Sequence, residues 1–443
     1  MTISATRVPR GPNVRLRTLL AEADYTLDAL ARAVNARGAQ EGRHLSYDRS
    51  AVAHWLRGAA PKPPVPRYVT EVLGHRTGRC VTLTEAGFPD DGHPLPPDED
   101  PTATLHRLAA YGTGELRTTA VRHLPLPSAL VRPPTAAESA PAAPATALGA
   151  RRAGAVRSHV RHCADGFDTF GGDYGRTALA AYAADTVLPW LRVEPGRRDR
   201  ELLRETSRLA FLLGRMHTDS LLHGAAQQYH LAALRLAAEA GDAGAWAMVM
   251  STLSAQAEEL GHLALARQTA EAAAQCTGRL GSAQRAFVHA QLGVARALEG
   301  DGVGARRVLR AAEAQAREAA GGPGAFPTYH YTAYAYRVGV ALWLLQDRGG
   351  AIGAWRLGLE RCGATHRRAV ALSHSRTAQA LLQVGRLSEA CRHWDALGRM
   401  REEVRAGIVL RAVDEARGAL APFAGYADAE VVLRRIGRAE QVR

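Results

Sequence analysis

Five alanines, Ala225, Ala266, Ala305, Ala351 and Ala390, occupy the same place in five similar stretches of this chain, at spacings of 41, 39, 46 and 39 residues. Four of them follow a turn signal: "ELGHLALA", "EGDGVGA", "QDRGGA" and "VGRLSEA". Seven residues further on stand Ala232, Ala273, Ala312, Gly358 and Leu397, most of them small. Twelve residues before the marker, two units carry Gly293 and Gly339. Small residues at fixed helical positions let two antiparallel helices approach closely, and a glycine-rich turn reverses the chain between them. One hairpin cannot bury its own apolar face, so a period of this length specifies a stacked array of helical hairpins. The longest spacing contains "GGPGAFP" at 321–327, a loop insertion. The plain alternative is an Ala-rich α-bundle without true repeats. Both readings make the chain all-α.

The pattern is helical from about residue 149 to the C-terminus, and the 443-residue length suggests more than one structural unit. The formal charge is +13, and residues 1–80 hold 13 Arg or Lys against 6 Asp or Glu. A compact basic module is the electrostatic footprint of a nucleic-acid binder, although a solvated basic surface has the same composition. Its helices are legible in turn. "NVRLRTLLAEA" (13–23) places Val14, Leu16, Leu19 and Leu20 at near-helical spacing after an Asn13 N-cap. "TLDALARAVNARG" opens on Thr26, another cap, buries Leu27, Leu30, Ala31 and Val34, and should stop at Gly38. A further helix is expected over roughly 66–76, with a short one near Thr84. The organisation is therefore a head at 1–88, a Pro/Ala-rich linker at 89–148 with room for one docked helix, and the repeat domain at 149–443.

Between these helices lies "LSYDRSAVAHWLRGAAPKPPVPRYV" (45–69). A helix from about Ser46 or Asp48 to Leu56 brings Val52, Trp55 and Leu56 together toward a core. Asp48 lies at its N-terminal end, where a carboxylate caps free N–H groups. The opposite face carries Tyr47, Ser50, His54 and Arg57, bordered by Arg49. Two rings, a hydroxyl and guanidinium groups without a carboxylate suit hydrogen bonding to base edges and phosphates in a major groove. Arg15, Arg17, Arg43, Lys62 and Arg67 are the phosphate-contact candidates. Each taken alone has a solvated surface charge as its simpler reading, and so does His54.

Helices 26–37 and 46–57 form a candidate helix-turn-helix with a long connecting loop. "LDALARAVNARG…LSYDRSAVAHWLRGAAPKPPVPRYVTEVLGHRTGR" resembles the DNA-binding domain of Cro/repressor-type helix-turn-helix regulators from actinobacteria. Trp55, Gly58 and Pro61 stand at the matching places. The repeats resemble tetratricopeptide repeats, with a period longer than the usual 34. "FDTFGGDYGRTALAAYAADTVLPWL" (167–191) and residues 230–273 resemble the tetratricopeptide-like domain that those regulators carry. The resemblance implies a transcription regulator of development or secondary metabolism. Its implied partners are double-stranded DNA, a second copy of the chain through the repeat domain, and a peptide or small-molecule effector. The rival from another class is a protein–protein scaffold with a vestigial head.

In a hairpin array the first helices line a concave groove. Register places Ser251, Glu258, Tyr336, Trp343 and Gln379 toward it, where aromatic rings suit a peptide or small apolar ligand. Packing against neighbouring helices is the simpler role for those rings. Catalysis has little support: there is no HExxH, GxSxG or P-loop, and "GGDYG" (171–175) lacks a GK[ST] ending. His159, His162 and Cys163 have metal-compatible spacing without further ligands and read as a surface stripe. No cofactor or metal is expected. The five cysteines are scattered, no apolar run reaches membrane-spanning length, and a cytoplasmic location without a membrane partner is expected.

Overall fold

In the computed structural model the five marker alanines are fully buried, each in the first turn or so of the second helix of a hairpin. The structure describes residues 11–40, 43–62, 64–77, 81, 83, 85–88, 100–112, 116, 119, 121, 126, 128–134, 147–192, 198–319, 331–363 and 366–437. All regular structure among them is helical, and none of their helices is long and apolar enough to cross a membrane. Contacts divide the chain into one unit of Met1–Leu95, Arg117–His123 and Glu259–His262, and a second of Pro96–Leu116, Leu124–Glu258 and Leu263–Arg443.

The first unit contains α1 (Val14–Glu22), α2 (Leu27–Gln40), α3 (Arg49–Leu56) and α4 (Val65–Thr77). Each start has a local cause. Asn13 accepts from the Leu16 N–H at 3.0 Å and Thr26 Oγ1 from Ala29 at 3.1 Å. Leu16, Leu19, Leu20, Leu30, Ala31, Val34, Val52, Trp55, Tyr68, Val69 and Leu73 form one core. Asn13 also ties the ends of this core together: its N–H donates to the Leu56 carbonyl and its side-chain amide to that of Ala86, both at 2.8 Å. Gly38 does not stop α2, which continues to Gln40. A Cβ there would lie 2.4 Å from Leu45 Cδ1, so this glycine makes room for the returning chain instead. Gly58, at φ 103°, does end the turn after α3. Thr84 and the insertion at 321–327 lie outside the described residues.

The second unit begins with α5 (Pro101–Ala110), capped by Asp100, whose Leu105 and Leu108 are buried in the main core. Then come α6 (Ala147–Phe170) and α7 (Arg176–Tyr182), which runs into a π-helical stretch at Ala183–Val187. The hairpins follow as α8 (Arg200–Asp219) with α9 (His223–Glu239), α10 (Ala243–Glu259) with α11 (Leu263–Ala274), and α12 (Ser282–Leu298) with α13 (Gly302–Glu318). They continue as α14 (Tyr331–Leu344) with α15 (Arg348–Glu360), α16 (Arg367–Gln383) with α17 (Leu387–Met400), and α18 (Gly407–Leu420) with α19 (Ala427–Gly437).

Close approach is visible in three of the hairpins, at or beside the predicted small residues. Side-chain hydroxyls on first helices bond carbonyls on second ones: Ser207 to Ala233 at 2.8 Å, Ser254 to Ala266 at 2.7 Å, Thr332 to Gly358 at 3.2 Å. At Gly339 the buried Trp355 indole lies where a side chain would be, and a Cβ would come within 2.2 Å of its Nε1. That indole is held by donating to the Tyr336 carbonyl at 3.1 Å. The turns share one device as well. In five of the six hairpins the residue two places before the second helix has positive φ: Leu221 (61°), Gly261 (78°), Gly300 (80°), Gln346 (63°) and Gly385 (78°). Leu221 and Gln346 adopt there a conformation that favours glycine.

The array also returns on itself within the second unit, because α6 packs against both α8 and α16. Asp219, fully buried, accepts from the Gly172 N–H at 2.7 Å and from the Arg368 guanidinium. Phe167 lies under two guanidinium groups, Arg368 at 4.9 Å and Arg215 at 5.1 Å. Burial pushes the Asp168 carboxyl up to about 7, despite those two arginines. Its folded-state pKa thus exceeds the unfolded value, so ionising it weakens the fold as pH rises from about 4 to about 7.

Two glycines in one hairpin make a test of the packing. Gly339→Ala should destabilise the protein by about 1–3 kcal/mol by displacing the Trp355 ring. Gly353→Ala, on the exposed face of α15 where a Cβ meets nothing within 4 Å, should stabilise it by about 0.5–1 kcal/mol. Urea denaturation of the two variants reads both signs. Asp168→Asn should raise the melting temperature more at pH 8 than at pH 5, which thermal melts at the two pH values check.

Candidate functional site

α3 presents a short basic surface because its apolar residues are used on one side only. Val52 and Trp55 are buried and Leu56 is half-buried. Asp48 caps the helix, accepting from the Ala51 N–H at 2.9 Å. That bond, followed by one from the Ser50 hydroxyl, holds its carboxyl below the ordinary range. Arg49, Ser50, His54 and Arg57 are exposed, and so are Arg15, Arg17, Arg43 and Lys62. No residue of α3 is acidic. The Ser50 hydroxyl donates to Asp48 Oδ1 at 2.8 Å, so it is part of the cap as well as of the surface. Arg57 donates through Nε to the Ala53 carbonyl at 3.3 Å.

Two of the expected contact residues belong elsewhere. Tyr47 precedes the helix and is half-buried, edge-on to Trp55 at 5.2 Å between ring centroids. Its backbone is clasped by Asn35, which donates to the Tyr47 carbonyl at 2.8 Å and accepts from its N–H at 2.9 Å. Extrapolating helical register one turn too early put its ring on the outer face; the extended backbone at Asp48 turns it back onto the core. Arg67 is half-buried, stacked on Tyr68 at 5.1 Å and 3.5 Å from Glu71. Arg37 converges on the same two side chains, 2.7 Å from Glu71 and 5.5 Å from the Tyr68 ring. Arg37 thus holds α2 to α4, and Arg67 packs along α4 itself.

In the second unit the first helices of successive hairpins carry a continuous polar network. Glu258 on α10 accepts from Arg337 on α14 at 3.0 Å and from Gln291 on α12 at 3.4 Å. Tyr336, next to Arg337, accepts through its hydroxyl from Arg376 Nε on α16 at 3.2 Å. Arg376 Nη1 donates to Gln379 at 3.2 Å, and Gln379 donates to Glu415 on α18 at 2.9 Å. Arg376 is exposed, and Tyr336 first, then Glu415 and Glu258, raise the pKa of its guanidinium. Two carboxylates and two guanidiniums balance, so this lining matches a ligand with both donors and acceptors, such as a peptide backbone.

Of the five groove residues expected from register, Glu258, Tyr336 and Gln379 are joined in this network. Ser251 is not on the lining: it is 1 % exposed and its hydroxyl is buried in the helix interface. Trp343 leans toward its own hairpin partner, 6.2 Å from Trp355 and beneath Arg348, whose guanidinium carbon is 3.6 Å from the ring centroid. A one-helix register cannot separate the inner face from the flank that packs on the second helix. Arg337, Arg376, Gln291 and Glu415 were missed. Arg376 lies three residues before Gln379, on the same helical face, and was legible on that ground. The metal-like spacing at 159–163 has another use: His159 stacks on Tyr182 at 4.1 Å.

Residues 16–89 match a family model described as the SP15 N-terminal domain. The match covers most of α1 and all of α2, α3 and α4. No curated protein matches the chain.

The different placements of Tyr47 and its neighbour on the surface are separable. Tyr47→Ala should lower stability by about 2 kcal/mol through lost ring packing, while Tyr47→Phe should leave it nearly unchanged. Chemical denaturation of both variants provides the measurement.

Proposed function

We propose that this protein is a DNA-binding transcription regulator. In this reading α2 and α3 act as a helix-turn-helix and α3 enters the major groove. The observation that carries the proposal is the exposed face of α3: Arg49, Ser50, His54 and Arg57 together, no carboxylate in the helix, and Arg43 and Lys62 exposed on its flanks. Guanidinium forks and imidazoles match guanine edges and phosphates. Arg15 and Arg17, exposed on α1, extend the basic surface. The resemblance of residues 27–79 to Cro/repressor-type regulators supports the same reading.

The repeat domain would then supply dimerisation, effector binding or both. The charge-balanced lining of Glu258, Tyr336, Arg337, Arg376, Gln379 and Glu415 suits a peptide or small polar effector. Dimerisation would present two copies of α3 to two half-sites.

Gel shifts on genomic fragments at several salt concentrations test the proposal. Arg49→Ala and His54→Ala should each weaken binding to a preferred site by about 1–3 kcal/mol and relax sequence preference. Lys62→Ala should weaken all sequences alike and reduce the salt slope. Wild-type binding by the first two variants, or only weak retention of every fragment, would reject the assignment and favour a protein–protein scaffold.

A further inference from the structure

Away from the polar network, α15, α16 and α17 enclose a second group of charged and titratable side chains: Arg356, His374, Glu389, Arg392 and His393, around a cleft of about 320 Å³. Glu389 is its hub. It accepts from Arg356 at 2.9 Å and from Arg386, and Arg392 approaches it to 3.9 Å. One carboxylate among three guanidiniums leaves a local excess of two positive charges. Arg392 is 77 % exposed at its side chain and comes no closer than that 3.9 Å to the carboxylate, so its fork remains available to a ligand.

The histidines add neutral donors. Their Nδ1 atoms are 2.8 Å apart, a hydrogen-bond distance between two groups that in neutral rings must differ in tautomer. One ring donates from Nδ1. The ring that accepts therefore carries its own hydrogen on Nε2, which makes that nitrogen a donor. Burial pulls both imidazoles below their ordinary pKa, His393 to about 4 with His374, Arg356 and Arg392 adding to the effect. Both rings are thus neutral near pH 7, and the field around them is positive.

We propose that this cleft binds a phosphate group that keeps one hydroxyl hydrogen, either free hydrogen phosphate or the end of a singly protonated phosphate monoester. The guanidiniums of Arg356 and Arg392 and an imidazole N–H supply donors to several oxygens of one tetrahedral anion, an arrangement that a planar carboxylate uses less fully. Glu389 gives the site its selectivity. Its carboxylate repels a fully deprotonated anion and accepts from a P–OH, so hydrogen phosphate is favoured over sulfate.

Isothermal titration of the full-length protein at pH 6.5 tests this, with inorganic phosphate, a sugar phosphate and sulfate as probes at constant ionic strength. Saturable binding of phosphate that exceeds sulfate binding is expected. Arg392→Ala should weaken it roughly tenfold or more, since charge-assisted bonds to an anion are lost. Arg310→Ala, which removes an equal charge from the exposed face of α13, should leave it unchanged. Circular dichroism of each variant checks that the fold is retained, and Arg392, being exposed, is not needed for packing. Tighter binding of inorganic phosphate than of the sugar phosphate identifies the free ion as the ligand, and tighter binding of the sugar phosphate identifies a monoester. Sulfate binding as tight as phosphate, equal losses in Arg392→Ala and Arg310→Ala, or no saturable heat overturns the proposal.

Discussion

The hairpins of the second unit depend on two helices coming close together, and in three of them a side-chain hydroxyl reaches a carbonyl across the interface. That distance is set by what is missing from the side chains. Ala225, Ala266, Ala305, Ala351 and Ala390 are 0 % exposed, so nothing larger than a methyl group fits without moving a helix. Gly339 is the extreme case, where the hydrogen that replaces a side chain leaves room for the Trp355 indole. The indole then bonds the backbone of the facing helix and turns a void-free contact into a specific one. Stacking follows from this, because first helices held at fixed distance from their partners align to form the next interface. The polar network from Glu258 to Glu415 exists only because five first helices are stacked in register.

The closure of the array has a different physical basis. It brings buried charge together: Asp219, Arg368 and Asp168 lie beside Phe167 with Arg215. Charges removed from water are costly to separate once paired, so such a cluster specifies one closure over alternatives more than it adds stability. Asp168, with a carboxyl near pKa 7, is where the accommodation is incomplete. The Asp219 carboxylate also holds the glycine-rich turn at Gly172, so a stretch that reads as a weak phosphate loop in sequence serves the closure instead.

Much of the local structure was legible because short-range chemistry decides it. Asn13, Thr26 and Asp48 were recognisable as caps, since an N-cap side chain bonds only two or three residues ahead. Val52 and Trp55 were recognisable as core from one helical turn. The errors have local causes: Tyr47, Ser251 and Trp343 were assigned from the register of a single helix, Gly38 from its residue type as a stop signal, and Arg67 from its charge. Leu45 returns to Gly38, Glu71 and Tyr68 capture Arg67, and Trp355 claims the flank of Trp343. Leu45 lies across a loop and Trp355 on the next helix, where periodicity does not reach, whereas Glu71 lies one turn along the helix of Arg67 and was within reach of helical spacing.

The sequence by itself determined an all-helical chain, the hairpin period, the place of the small residues at the helix crossings, and a basic head whose third helix has one apolar face. These follow from spacing, composition and capping, all of which act within a few residues. Tertiary structure alone decided that Glu258, Arg337, Tyr336, Arg376, Gln379 and Glu415 form one line, that α6 meets α16, and that two histidines and three arginines gather around Glu389. Each of those sites joins residues from three or more helices. Their distances depend on how far each helix is displaced and rotated against the next, which side-chain volumes across the interface set.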